Sequence, residues 1–163
     1  MTIRSTQLQI RVTPREKAVL KRLAAAAGKD VSKYVLAKAL PGNQVEFGSI
    51  LRSLENEGSR RFALAELNDF LTGLSASELI EAVASAGVGR LAPFVQNYVA
   101  AMVEQAAYER DVDPPGWVAD IEPLATPWFA APLIGLRPHL LRASPVPFKR
   151  RNLFVDSALG ARV

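Results

Sequence analysis

In the stretch QLQIRV, Gln7, Gln9 and Arg11 alternate with Leu8, Ile10 and Val12. Alternation of this kind predicts a strand with one polar face and one apolar face. The chemistry open to the polar face is recognition of flat edges. A carboxamide offers a donor beside an acceptor, matching adenine, and a guanidinium matches the two acceptors of guanine.

Catalytic chemistry finds less to work with. The chain holds one histidine, His139, and no cysteine, so disulfides and thiolate metal sites are excluded. Glu104, Glu109, Asp111 and Asp113 cluster near a predicted helix end without His or Cys beside them and without the alternation of a calcium loop. The segment SAGVGR lacks both the spacing and the Lys-Ser/Thr ending of a phosphate-binding loop. No catalytic, metal or cofactor site is expected, and the chain is not expected to be an enzyme.

The elements that must position the polar strand are legible around it. Thr13 can cap a helix, Pro14 fits its first position, and Glu16 stands three residues on to close a capping box. Val19, Leu20, Leu23, Ala24 and Ala27 then recur at helical spacing up to Gly28. Ser32 is the expected cap of a second helix, in which Tyr34, Val35, Leu36, Ala39 and Leu40 run up to Pro41-Gly42. Strand, helix, helix in forty residues cannot cover its own apolar faces or satisfy a lone strand's edges. A second copy, paired through an antiparallel ribbon, would do both, and such a ribbon fits the major groove of DNA.

Charge follows the same division. Residues 1–40 carry nine Lys or Arg against Glu16 and Asp30, a net +7, whereas residues 41–140 are net −7 and residues 141–163 net +4. A basic head on an acidic body suggests that the head meets a polyanion while the body has another task.

The stretch TQLQIRVTPREKAVLKRLAAAAGKDVSKYVLAKAL resembles the ribbon-helix-helix superfamily of bacterial DNA-binding proteins, and within it the antitoxins of type II toxin–antitoxin pairs. The shared features are the alternating strand, the proline-led EKAVLKRLA helix and the GKDVSKY turn. The resemblance implies that Gln7, Gln9 and Arg11 read bases and that Val31, Ser32 and Lys33 clamp a phosphate. The second role also has independent physics, since free amides and dipole at a helix N-terminus favour an anion.

Beyond residue 42 the spacing Phe47, Ile50, Leu51, Leu54 predicts a helix ending near Gly58, followed by helices over about 62–71 and from about Ser77 to Gly87. The strongest periodicity, Leu91, Phe94, Val95, Tyr98, Met102, Val103 and Ala106, predicts a long core helix. From Asp113 eight prolines alternate with large apolar residues including Trp117, Trp128, Leu133 and Ile134, a composition unlike disorder. These segments either fold back on the helices or offer surface to a partner. In the tail, two prolines are expected to hold SPVP extended ahead of the basic knot Lys149, Arg150 and Arg151, and NLFVD has strand-like content. The stretches LLRASPVPFKRRNLFVD and PPGWV are similar to the C-terminal segment of antitoxins encoded beside nucleotidyltransferase-like toxins, which implies toxin contacts by Phe148, Lys149, Arg150, Arg151 and Phe154.

The expected fold is mainly α: a dimeric ribbon-helix-helix domain over residues 1–42, then a mostly helical partner-binding domain over residues 43–163 with a proline-rich, partly extended tail. The expected function is that of an antitoxin and autoregulatory repressor. It would bind double-stranded operator DNA as a homodimer and neutralise a cognate toxin through its C-terminal region. The alternative is a stand-alone transcriptional regulator whose C-terminal domain senses a small molecule. No apolar run reaches the roughly 18 residues of a membrane span, and the first twenty residues lack a signal peptide's apolar core. A cytoplasmic location and no membrane partner are therefore expected.

Overall fold

The capping box written into Thr-Pro-Arg-Glu forms as the spacing predicts. The Glu16 amide donates to Thr13 Oγ1 at 3.3 Å, and the Thr13 amide donates to Glu16 Oε2 at 2.7 Å, so two of the free amides at the start of α1 (Pro14–Ala26) find acceptors. In the computed structural model, residues 9–28, 30–39, 42–85 and 87–156 are described. The chain divides into two compact units, Met1–Gly42 and Asn43–Val163.

In the first unit, the head, α1 packs on α2 (Val31–Ala39), with Gly28 between them at a φ of 63° that suits glycine. The cap of α2 differs from the expectation. Asp30, not Ser32, accepts the Lys33 amide on its Oδ1 at 2.8 Å, and its carbonyl takes the Tyr34 amide at 2.9 Å. Ser32 thus falls inside the first turn; a carboxylate one position before the helix captures the third-residue amide and also gains from the helix dipole. Gln7 and Leu8, half of the expected strand, lie outside the described residues. Gln9 to Val12 are in neither helix nor strand, and all four are exposed. Among the head side chains whose burial is described only that of Ala24 is buried, while Ile10, Val12, Val19 and Leu23 are exposed.

The second unit, the body, is built around one helix. α3 (Asn43–Ser53), the Leu54 that follows it, α4 (Arg60–Gly73) and α5 (Ala76–Val83) send Phe47, Ile50, Leu54, Leu67, Leu71, Leu79 and Val83 into a core shared with Val95, Val99 and Val103 of α6 (Pro93–Tyr108). A different side of α6 is covered by the C-terminal segment, where Phe148, Leu153 and Val155 close on Ala101. The small side chains at positions 100, 101, 106 and 107 let neighbours approach α6 from several sides.

The proline-rich region folds back on these helices. The Trp117 indole donates to the Val83 carbonyl at 2.8 Å, and β1 (Trp128–Phe129) pairs in parallel with β2 (Leu153–Phe154), Trp128 opposite Leu153. α7 (Arg137–Ala143) and α8 (Val146–Lys149) lie between the two strands in sequence. The SPVP segment is therefore not held extended. Pro145 has extended angles just before α8, and Pro147 sits in its first turn, where a missing N–H costs nothing. Asn152 then adopts the left-handed φ of 57°, held by its side-chain donation to the Leu124 carbonyl at 2.6 Å, and turns the chain into β2.

Candidate nucleic-acid interface

Both groups of head residues expected to meet DNA stand at helix N-termini. Gln9 and Arg11 immediately precede the capping box of α1 and are exposed; Gln7 lies outside the described residues. Val31 is half-buried at the first position of α2, and Ser32 and Lys33 follow it, exposed. The described cationic residues of the head, Arg11, Arg15, Lys17, Lys21, Arg22, Lys33 and Lys38, are all exposed. Among the described residues, the head therefore presents its cations to solvent and not to internal ion pairs, apart from Lys33, whose Nζ lies 3.7 Å from Asp30.

Asp30 is the residue that sequence reasoning missed here. The Lys33 amide it accepts from holds its carboxyl below the usual carboxylate range, so it is ionised at neutral pH beside the amides a phosphate would use. A phosphate at this helix start meets a competing anion. We expect Asp30→Asn, which keeps an acceptor at the cap and removes the charge, to strengthen DNA binding about two- to fivefold at low salt. Equal or weaker binding by the folded variant, in a fluorescence anisotropy titration, would place the phosphate elsewhere.

The five tail residues grouped by the sequence reading are divided by the fold. Phe148, Arg151 and Phe154 are buried, Lys149 is half-buried and Arg150 is exposed. Phe148 meets the Tyr98 ring edge-on at 5.4 Å, and Phe154 stacks on Phe129 at 4.8 Å. Arg151 donates to the carbonyls of Val118 and Ile121 at 2.7 and 3.3 Å and to Asn97 Oδ1 at 3.4 Å, and its Nη2 lies 3.7 Å from Glu104 Oε2. Burial pulls this guanidinium below its ordinary value, and the Glu104 carboxylate opposes that shift. Arg150 makes the outer ion pair, 3.2 Å from Glu104 Oε1. Lys149 donates to the Arg142 carbonyl at 3.0 Å.

The acidic residues near the end of α6 are dispersed in the same way. Glu104 faces the two arginines, and Glu109 accepts from the Gln105 amide at 2.9 Å. His139 is exposed, 3.3 Å from Asp156. Among the described residues, no three His, Cys, Asp or Glu side chains come together as a metal site would require, and no helix is long and apolar enough to cross a membrane.

Residues 2–56 match the model of the NikA-like family, described as mobilization protein NikA. The match is to a mobilization family and not to antitoxins. It takes in the whole head and extends past residue 42 to include α3, whose Phe47, Ile50 and Leu51 are seated in the body's core. No curated protein matches the chain, and no solved structure does. The similarity thus covers about a third of the chain, centred on the head.

Proposed function

We propose that the chain is a dimeric ribbon-helix-helix DNA-binding protein, its head gripping a specific duplex site and its body holding a further protein surface at that site. The observation that carries this reading is the head itself: a net charge of +7 on forty residues, of whose described side chains only Ala24 is buried. Such a unit gains a core by pairing with its copy and gains affinity from a polyanion. The name of the similar family, mobilization protein, supports a site on a DNA that is moved over an operator beside a toxin gene. The antitoxin expectation has no comparable support, and three of the five residues it relied on are occupied within the fold. In this reading the chain binds and positions, and catalyses nothing.

The test is selection of a preferred duplex from random DNA by the full chain, followed by Gln9→Ala and Arg11→Ala. Base-edge contacts specify and phosphate contacts position, so each variant should lose about 1 to 3 kcal/mol per half-site on the selected site and much less on unrelated duplex. Equal losses on both duplexes, or none, would show that this face does not read sequence.

A further inference from the structure

Two surfaces of the body carry opposite chemistry and lie side by side. One is a strip formed by the turn at Ile134–Leu136 and by α7. Residues 132–139 are exposed without interruption, and Leu133, Ile134, Leu136 and Leu141 are left 65, 74, 45 and 48 % accessible. Arg137 and Arg142 stand among them, Arg137 lying over the Phe129 ring at 4.9 Å. The other is a cleft of about 480 Å³ between α4, α6 and the C-terminal segment. Its apolar lining includes Leu64, Tyr98, Met102 and Phe148; Asp69 and Glu109 line it too, both exposed, as does Arg110, whose guanidinium donates to the carbonyls of Leu71, Thr72, Leu74 and Ala106. The surfaces adjoin at the His139–Asp156 contact, because His139 belongs to α7 and Asp156 lines the cleft.

We propose that the bodies of two copies pair through these surfaces, the apolar, basic strip of each seating in the acid-lined cleft of the other. A two-fold axis beside the His139–Asp156 contact satisfies both strips and both clefts at once, the reciprocity of an isologous interface. Arg137 and Arg142 then approach Asp69 and Glu109, which supplies register as well as attraction. An anionic bilayer or a nucleic acid fits less well, since either would meet the carboxylates of the cleft next to the strip. The proposal rests on the dimeric reading above only for the nearness of the second body, which joined heads would hold at high effective concentration; the surfaces themselves belong to the body.

The chain has no cysteine, so an introduced thiol reports one contact only. Full-length Leu136→Cys and Leu64→Cys chains, one carrying a size tag, would be co-expressed and mildly oxidised. The expected product is the mixed disulfide, in excess over either homodisulfide. If Leu64→Cys fails to fold, Gln105→Cys places the thiol in the same cleft. Adding Arg142→Glu to the Leu136→Cys chain should lower the yield about fivefold, and adding Asp69→Arg to the cleft chain should recover it. Homodisulfides alone, no disulfide, or no recovery by the paired reversal would overturn the proposal. DNA binding by the same chains is measured separately: a mixed disulfide with no DNA binding sinks the function proposed above and leaves the body pairing intact.

Discussion

Replacing Arg151 by alanine should destabilise the body by about 3 kcal/mol, the lower end of the range for breaking a buried ion pair because Glu104 keeps some solvent contact. The loss is larger than that of one surface pair because the guanidinium joins elements far apart in sequence. The Val118 and Ile121 carbonyls follow α6, Asn97 and Glu104 belong to α6, and Arg151 itself leads into β2. Removing it strands these acceptors away from water. Arg151→Lys should rescue little, since one ammonium cannot reach the set that a planar fork spans. Thermal unfolding followed by circular dichroism should show a fall of roughly 10 °C. Arg150→Ala, which removes only the exposed partner of Glu104, should leave the melt almost unchanged. Similar melts for Arg151→Ala and the unaltered protein would contradict this account of the C-terminal segment.

Affinity for DNA should fall about a thousandfold when salt is raised from roughly 50 to 200 mM, if about six phosphates are neutralised by a pair of heads. Each head brings nine cationic side chains, and the seven described ones are exposed, so six contacts per dimer is a modest demand. Lys33→Ala, which removes one contact from each of the two heads, should reduce the slope of log affinity against log salt by about two, with similar effects on preferred and unrelated duplexes. A flat salt response would mean that the positive head does not bind through phosphates, whatever Gln9 and Arg11 do.

The local parts of this protein were legible because local chemistry decides them. The Thr13–Glu16 box involves residues three apart, and the periodicity of α6 repeats within one helix. Where two local solutions compete, the sequence alone does not decide between them. Ser32 and Asp30 both suit a cap, and only the geometry of the Gly28 turn shows which reaches the Lys33 amide. The prolines of SPVP suit an extended chain or a helix start equally well; Phe148 entering the core behind them selects the second. The sequence groups Arg151 with Lys149 and Arg150 in one basic knot, because the partners that set it apart stand 30 to 54 residues away. A signal is present: KRRN lies between VPF and LFV, and a short polar run flanked by apolar residues on both sides invites an inward-facing member. The alternation of Gln9 to Val12 predicts a strand, and these four residues are in neither helix nor strand; strand pairing needs a partner edge, which alternation within one segment cannot supply.

The position of Arg151 also orders events in time. Synthesis runs from the head towards the C-terminus, and domains tend to fold as they emerge. Both head helices are made before any of the body, whereas the side chain that ties α6 to the following loop and the C-terminal segment is among the last of the buried set to be added. A chain interrupted before Arg151 would carry both head helices on a body in which the Val118 and Ile121 carbonyls and Asn97 lack their shared donor. The late arginine thus makes the tying of α6 to the C-terminal segment a late event of synthesis, one that follows the making of both head helices.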